Sequence, residues 1–194
     1  MIQSYIKSFF PTNRTNTFIC VARAGNVIGG GDWSSFRLIP DCIKSWTKNK
    51  KVILRNPKST RPWQHVLEAI WGYLLLASKI NNKLHGEVFN FGPINNNNYS
   101  VLHVVKTMKK SWEKVSWKIL NSKNKSFYES NLLKINSHKA KQIIKWKCIL
   151  TFKETILMVV NWYKKNDSNS KIIYKTTINQ IRNYEELIRI RKMK

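Results

Sequence analysis

Three short stretches of this sequence place polar side chains where a phosphate-bearing ligand could be held. Arg23-Ala-Gly-Asn-Val-Ile-Gly-Gly-Gly-Asp-Trp33 contains Asn26 and four of the seven glycines in the chain. In Arg61-Pro-Trp-Gln-His-Val66, Arg61 precedes a predicted helix, and its guanidinium could donate two hydrogen bonds to a pair of phosphate oxygens. In Phe89-Asn-Phe-Gly-Pro93, Asn90 lies at the carboxyl end of a predicted strand, where open α/β sheets bind their ligands.

Each of these polar side chains also has a purely structural interpretation. Asn26 could cap its own loop, Arg61 could belong to a surface ion pair, and Asn90 could form a turn at the end of its strand. Taken one at a time, the residues leave these alternatives open.

The glycines themselves do not match the known phosphate-binding loops. A dinucleotide fingerprint of the form G-x-G-x-x-G that used Gly29 and Gly31 would require a third glycine at position 34, which is Ser34. No Gly-Lys-Ser or Gly-Lys-Thr follows, so a P-loop is excluded as well. The remaining interpretations are a plain turn or one part of a substrate site.

The elements that must position these stretches alternate between strands and helices, which predicts a single α/β domain without a dividing linker. The nearly all-apolar Thr17-Phe-Ile-Cys-Val-Ala22 predicts a strand covered on both faces. Ser100 and Ser137 are predicted N-caps, and Thr151-Phe-Lys-Glu154 is a predicted capping box. Predicted strands span 17–22, 52–54 and 87–91, and predicted helices span 2–10, 37–46, 66–80, 100–112, 137–146, 151–163 and 177–194.

Composition bounds the function classes. The net charge of +25 would suit a nucleic-acid-binding protein. However, the lysines are spread along the chain, and abundant Lys, Asn and Ile, with an asparagine run at 95–98, also follow from A/T-rich codons. Cys20, Cys42 and Cys148 lack metal-ligand spacing, which favours reduced thiols in a cytoplasm and no metal site. No apolar run of eighteen residues exists, so we expect no membrane partner.

Taken together, the motifs resemble the C-terminal half of a known family. In order and spacing they are similar to the nucleotide-sugar epimerases and dehydratases of the extended short-chain dehydrogenase/reductase family, and most similar to the dehydratases that act on CDP-glucose. The resemblance implies the C-terminal part of a Rossmann-type fold, NAD as cofactor and CDP-glucose or a related nucleotide sugar as ligand. It also extends to Arg37-Leu-Ile-Pro-Asp-Cys-Ile43, Arg55-Asn-Pro-Lys-Ser-Thr60 and Thr177-Ile-Asn-Gln-Ile-Arg-Asn-Tyr-Glu185.

The resemblance assigns substrate-binding roles and no catalytic residue. It implies that Asn26 contacts the sugar–phosphate portion, that Arg61 pairs with the pyrophosphate, and that Asn90 completes the phosphate–ribose contacts. The remaining residues that it places along the nucleotide and in the base pocket are Arg37 and Leu38, then Val52, Ile53 and Leu54.

The parts that carry the family's hydride and proton transfer are absent from these 194 residues. No glycine-rich NAD loop is present, and none of the seven tyrosines has a lysine four residues later, so the Tyr-x-x-x-Lys pair is missing. We therefore expect residues 1–194 to form one incomplete domain, with 1–22 a remnant of the Rossmann portion and 23–194 mainly substrate-binding.

Such a segment should be inactive without an N-terminal half, which a separate chain could supply. The alternatives are a non-enzymatic CDP-sugar-binding remnant and a basic nucleic-acid-binding protein. Relatives form homodimers through a helix that corresponds to residues 2–10, so this chain's dimerisation is in question. Two departures from the family pattern, at 128–136 and at Lys145-Trp146, predict relaxed constraint near the nucleotide.

Overall fold

The structure, a computed structural model, describes residues 2–14, 16–93, 98–120, 134–165 and 170–192. The helices are α1 (Ile2–Phe9), α2 (Leu38–Thr47), α3 (Val66–Lys79), α4 (Val101–Lys109), α5 (His138–Ile143), α6 (Phe152–Lys164) and α7 (Ser170–Lys192), with a 3₁₀ turn at Asn82–Leu84. The strands are β1 (Val21–Ala24), β2 (Asn26–Ile28), β3 (Val52–Leu54), β4 (Thr60–Arg61), β5 (Trp63–His65), β6 (Val88–Phe91), β7 (Tyr99–Ser100) and β8 (Trp117–Ile119).

Most strand pairs in the described chain are parallel. β1 pairs with β6, β2 with β5 and β3 with β8, each in parallel register, whereas β4 and β7 pair antiparallel. Parallel strands joined through helices are the arrangement that the alternating pattern predicted, and the mixed α/β class is confirmed.

The main core forms where α2, α4 and α6 pack against β3 and β5. Its side chains include Ile43, Val104 and Val160, all fully buried, and Trp46, whose indole Nε1 donates to the carbonyl of Ser116 at 2.8 Å. Burying the aromatic body while pairing its one N–H is the usual solution for tryptophan in a core. This core fixes the positions of the loops between Ile28 and α2 and between β3 and β4.

The first predicted strand was misplaced. The sequence favoured 17–22, but the strand is Val21–Ala24, and both Ala22 and Arg23 are exposed rather than covered on two faces. Its position is set by the register with β6, in which Val21 lies opposite Val88 and Ala24 opposite Phe91. A short apolar run does not reveal that register, because the pairing partner lies more than sixty residues later.

Several helix boundaries also differ from prediction. α4 ends at Lys109 rather than 112, since the N–H groups of Lys110 and Ser111 turn back to Thr107 and Met108. α7 begins at Ser170, seven residues before the predicted start at 177.

The two predicted caps at the next helices had opposite outcomes. The Ser137 side chain makes no capping hydrogen bond, and α5 ends at Ile143, just before Lys145 at φ 59°. By contrast, the predicted capping box is confirmed. Thr151 and Glu154 each bond the other's backbone N–H at the start of α6.

Candidate functional site

Three of the predicted binding residues, Asn26, Arg61 and Asn90, lie where the chain after β1 changes its pairing partner from β6 to β5. β1 pairs with β6 up to the hydrogen bond from the N–H of Gly25 to the carbonyl of Phe91 (3.1 Å). The next N–H, that of Asn26, donates instead to the carbonyl of Pro62 (3.0 Å), and β2 continues along β5. Asn26 is the donor of the second bond, Arg61 directly precedes its acceptor Pro62, and Asn90 directly precedes Phe91, the acceptor of the first bond. The strands diverge here, and we refer to this place as the sheet split.

Glycine is required at the centre of the sheet split. A Cβ on Gly25 would lie 2.6 Å from the carbonyl oxygen of Pro62, closer than side-chain carbons approach backbone. The change of partner therefore depends on the missing side chain. Gln64, in β5, spans the split below this point, since its Nε2 donates to the carbonyl of Phe91 at 3.0 Å and its side chain is 1% exposed.

The remaining glycines of the Gly25–Gly31 stretch serve packing. A Cβ on Gly29 would meet Val66 at 2.7 Å, and one on Gly30 would lie 2.1 Å from the Trp162 ring. Gly31 takes the left-handed φ of 83°, which glycine adopts without strain. These contacts exclude a phosphate from the places where the Cβ atoms would lie, in agreement with the rejection of a phosphate-binding loop.

Asn90 is partly covered by a segment that sequence reasoning did not connect with it. Its Nδ2 donates to the carbonyl of Asn136 at 3.4 Å, and a Cβ on the neighbouring Gly92 would lie 2.2 Å from Ile135. The stretch 128–136, which differs from the family pattern, thus contacts the sheet split through its last two residues. Positions 128–133 of that stretch lie outside the described residues.

Arg61 is only 7% exposed, so the surface ion-pair interpretation does not fit it. Its Nη1 donates to the carbonyl of Thr60 at 2.8 Å, and in the antiparallel β4–β7 pair it lies opposite Tyr99. The adjacent Trp63 is held in place by its own N–H, which donates to the carbonyl of Tyr99 at 2.8 Å. The guanidinium is therefore positioned by the β4–β5 segment and not by a flexible surface loop.

Arg37 and Leu38 lie at the start of α2, beyond the glycine stretch. The side chain of Arg37 is 65% exposed and pairs with Asp32 at 3.1 Å, while Leu38 packs against the main core. Burial alone would raise the pKa of Asp32, but hydrogen bonds from Ser34 and Arg37 outweigh it and lower that pKa. Leu38 is thereby anchored to the main core, and the exposed Arg37 precedes it at the start of α2.

The predicted base-pocket strand presents one side chain to solvent. Val52 (7% exposed) and Leu54 (2%) are members of the main core, and Ile53 is 59% exposed. This alternation follows from the two-residue period of a strand. A ligand along β3 could contact the side chain of Ile53 and the backbone of its neighbours, while the side chains of Val52 and Leu54 point inward.

Sequence analysis did not predict three buried polar residues, which lie in β5 and in the first turn of α3. Gln64 bridges the split, His65 caps α3 by accepting from the N–H of Leu67 at 3.3 Å, and Glu68 is fully buried in the first turn of α3. Burial lowers the pKa of His65 to about 4, so the ring is neutral at physiological pH. An acidic residue in the first turn of a helix normally indicates only a favourable dipole contact, so nothing in the residue pattern predicts that Glu68 is buried.

Glu68 joins three parts of the chain. Its Oε1 accepts from the N–H groups of Ile149 (2.8 Å) and Leu150 (2.5 Å), and its Oε2 accepts from the Tyr184 hydroxyl at 2.9 Å. Burial raises the pKa of Glu68, partly offset by these hydrogen bonds, and burial together with Glu68 raises that of Tyr184. The group therefore holds α7 against α3 and makes no contact with the sheet split.

Chemistry beyond binding has few candidates in the described ranges. Across residues 2–14, 16–93, 98–120, 134–165 and 170–192, no three His, Cys, Asp or Glu side chains come close enough to hold a metal ion. Two clefts lie elsewhere: one of about 380 Å³ between α6 and α7, the other of about 430 Å³ beside α1 and Pro11–Asn13. None of the predicted binding residues lines either cleft.

Sequence comparison finds a matching family model. Residues 3–92 match the model of the NAD dependent epimerase/dehydratase family. The chain is also 39% identical over 167 residues to CDP-glucose 4,6-dehydratase of Salmonella typhimurium (strain LT2), an alignment that covers 83% of this chain and 46% of the relative. The chain thus spans about half the length of the curated relative that it matches.

Solved structures agree on the fold. UDP-glucose 4-epimerase of Thermotoga maritima, solved with UDP-glucose, superposes with a TM-score of 0.70 at 18% identity, covering 86% of this chain and 52% of that chain. UDP-glucuronic acid 4-epimerase of Bacillus cereus, solved with UDP-glucuronic acid and NAD, gives 0.67 at 18%, covering 84% and 48%. dTDP-glucose 4,6-dehydratase of Bacillus anthracis, solved with NAD, gives 0.63 at 23%, covering 88% and 50%. The Rossmann-type α/β fold of this family is therefore shown for about half of its usual length.

Among the helices of the described ranges, none is both long enough and apolar enough to span a bilayer.

Proposed function

We propose that this chain provides the nucleotide-sugar-binding half of a CDP-glucose 4,6-dehydratase. The observation that carries the proposal is the 39% identity to that enzyme over 83% of the chain. The geometry supports it, since the three residues with assigned phosphate and sugar contacts meet at the sheet split. A ligand at the carboxyl ends of parallel strands is the general rule for open α/β sheets.

Within this proposal each group has a physical role. Arg61, placed by the β4–β5 segment, supplies a positive charge and paired donors to the pyrophosphate. Asn26 and Asn90 offer amide donors and acceptors to the sugar–phosphate and the ribose. Ile53 and the backbone of β3 contact the base, and Arg37 and Leu38 lie along the nucleotide at the start of α2.

The bound sugar nucleotide should remain unreacted on this segment alone. NAD, where a relative binds it, supplies the hydride acceptor and donor of the reaction. Gly25, Gly29 and Gly30 do not fit its pyrophosphate, because Pro62, Val66 and Trp162 occupy the spaces beside them. The sequence also has no Tyr-x-x-x-Lys pair to move the proton that accompanies hydride transfer. We therefore assign these residues binding and orientation, and no chemical step.

An N-terminal half from another chain would complete such an enzyme. Two features support its docking here: β1 pairs on one edge only within the described chain, and α1 exposes Ile2, Tyr5 and Phe9. Unpaired strand edges and exposed apolar patches favour association. The three cysteines are free thiols, which supports a cytoplasmic location.

Ligand binding tests the proposal directly. CDP-glucose at about one hundred times its dissociation constant should stabilise the chain by about 2.7 kcal/mol, a rise of roughly 5–10 °C in Tm, because it binds the folded state alone. Asn26→Ala should weaken binding by about tenfold or more, since it removes an amide that meets the ligand. Asn179→Ala, on the exposed side of α7, is the matched control and should bind like the parent chain.

Two results would contradict the proposal. One is the absence of any stabilisation by CDP-glucose or CDP. The other is equal loss of affinity in the Asn26 and Asn179 variants, which would remove the sheet split from the binding site. A chain that binds but never converts CDP-glucose, even with an added NAD-binding half, would be the binding remnant.

A further inference from the structure

Two lysine-rich segments, far apart in sequence, meet in the structure. Residues 48–58 contain Lys48, Lys50, Lys51, Arg55 and Lys58, and residues 106–118 contain Lys106, Lys109, Lys110, Lys114 and Lys118. Glu113 is the one acidic residue in the two segments. Parallel pairing of β3 with β8 brings them side by side, and the bond from the N–H of Val52 to the carbonyl of Ser116 (3.1 Å) joins the turns that precede the two strands.

The outer face of this strand pair is defined by the two-residue period. Val52 and Leu54 point into the core, so Lys51, Ile53 and Arg55 point outward along β3. On β8, Lys118 lies opposite Ile53 in the register, and Leu120 follows on the same side. We call these five residues the β3–β8 face. Its lysines and arginine are exposed, and so are Ile53 (59%) and Leu120 (48%).

Further lysines lie at one end of the β3–β8 face. Lys48 and Lys50 lie in the turn before β3, and Lys110 and Lys114 lie in the turn before β8. Because the strands are parallel, both turns lie at the same end of the pair. All four lysines are exposed. The result is two exposed aliphatic side chains on a face that also carries Lys51, Arg55 and Lys118 and has four more lysines at one end.

This chemistry favours a lipid surface over a nucleic acid. Peripheral membrane contacts combine aliphatic side chains that enter the interface with lysines that reach anionic headgroups. Single-stranded nucleic acids are held instead by aromatic platforms and by arginines that stack on bases. The β3–β8 face has no aromatic member, and its surrounding cations are all lysines.

We propose that the β3–β8 face binds the surface of an anionic bilayer, with Ile53 and Leu120 at the acyl boundary and the lysines on the headgroups. The sequence led us to expect no membrane partner, because that expectation considered membrane-spanning runs alone. The contact is peripheral and reversible. It shares Ile53 with the proposed nucleotide-sugar site, so a bilayer and a bound base would compete for that side chain.

Vesicle co-sedimentation tests this proposal with the 194-residue chain. The probes are vesicles of phosphatidylcholine alone and vesicles with about 30% phosphatidylserine. The test variant reverses four charges (Lys48→Glu, Lys51→Glu, Lys114→Glu, Lys118→Glu). The control variant reverses four exposed lysines elsewhere (Lys79→Glu, Lys83→Glu, Lys153→Glu, Lys175→Glu) and so has the same net charge. Circular dichroism establishes that both variants are folded.

The parent chain should bind the anionic vesicles and not the neutral ones, and 0.5 M salt should release it. The test variant should lose about 100-fold in affinity, and the control variant about threefold or less. Leu120→Ser, which leaves the charge unchanged, should weaken binding several-fold because it removes an apolar contact.

Three outcomes would overturn the proposal. The first is no binding to anionic vesicles. The second is equal loss in the test and control variants, which would mean that total charge and not this face is responsible. The third is binding of duplex DNA that depends on the four test lysines while vesicles are ignored, which would assign the face to nucleic acid.

Discussion

The two ends of this chain are both helical, but they contact the rest of the molecule in different ways. α7 is fastened by side chains of distant elements: Thr177 accepts from the indole of Trp162, Tyr184 donates to Glu68, and Arg191 pairs with Glu154. α1 buries Ile6 alone and leaves Ile2, Tyr5 and Phe9 more than half exposed. Within the described chain, polar contacts are concentrated at one end and unpartnered apolar surface at the other.

The two helices differ in how far the described chain satisfies their side chains. The polar groups that fasten α7 are satisfied by this chain itself, so α7 belongs to a finished part of the fold. The apolar side chains of α1 gain little from the contacts present here. Stability measurements should therefore be sensitive at α7 and insensitive on the outer face of α1.

The largest effect should come from removing the buried carboxylate that fastens α7. Glu68→Ala leaves the N–H groups of Ile149 and Leu150 and the hydroxyl of Tyr184 without their acceptor. Since each buried unsatisfied group costs about 1–3 kcal/mol, we expect the free energy of unfolding to fall by roughly 4 kcal/mol in urea titrations. Glu186→Ala, exposed on α7, should change it by less than about 0.5 kcal/mol. An equal loss of stability in the Glu68 and Glu186 variants would contradict the proposed role of Glu68 in holding α7.

A smaller effect should appear with pH at the last turn of α7. The Nη1 and Nη2 atoms of Arg191 both donate to the Glu154 carboxylate, which lowers the pKa of Glu154 to about 2 against burial. A lowered folded-state pKa means that this stability is complete above the unfolded value of about 4.5 and is lost as the pH falls toward 2. About a third of each side chain is exposed, so solvent screening limits the contribution to about 1 kcal/mol.

Glu154→Gln isolates that contribution. Equilibrium unfolding from pH 6 to pH 2 should show a shallower loss of stability for the variant than for the parent chain. Parallel curves would mean that Arg191 stabilises α7 through its bond to the carbonyl of Ile149 alone.

The smallest effect should come from the outer face of α1. Tyr5→Ser and Phe9→Ser remove exposed rings that contact each other in a tilted arrangement with centroids 4.8 Å apart, and each should alter the free energy of unfolding by no more than about 0.5 kcal/mol. Ile6→Ala, on the buried side of the same helix, should cost about 2–4 kcal/mol. Analytical ultracentrifugation should show less self-association of the serine variants. A large loss of stability would show that this face is already packed.

Patterns that depend on local chemistry were predictable from the sequence. The capping box at Thr151, the long helix α3 and the strand β3 follow from side chains within a few residues of one another, and all three are present. β4 and β7 have two residues each, and β2, β5 and β8 have three, so no periodicity reveals them. They form because a partner strand from another part of the chain lies beside them.

The sequence predicted which residues belong to the candidate site, but it did not predict how they contact their neighbours. Asn26, Arg61 and Asn90 were named from residue type, position and family resemblance, and the structure brings them to one place. The bridging Gln64 and the covering Asn136 were missed, because their contacts depend on how β5, β6 and the 134–137 segment meet. Their roles in binding stay predictions until ligand affinity is measured.

The last turn of α7 has a practical consequence for trimming or tagging the protein. Terminal turns are usually the places where residues can be removed or added without harm. Here Arg191 is clamped to Glu154 and to the carbonyl of Ile149, and its own carbonyl accepts from Lys147. An affinity tag is therefore better placed on the Met1 side. A version shortened before Arg191 would lose the ion pair with Glu154 that holds the end of α7 against α6.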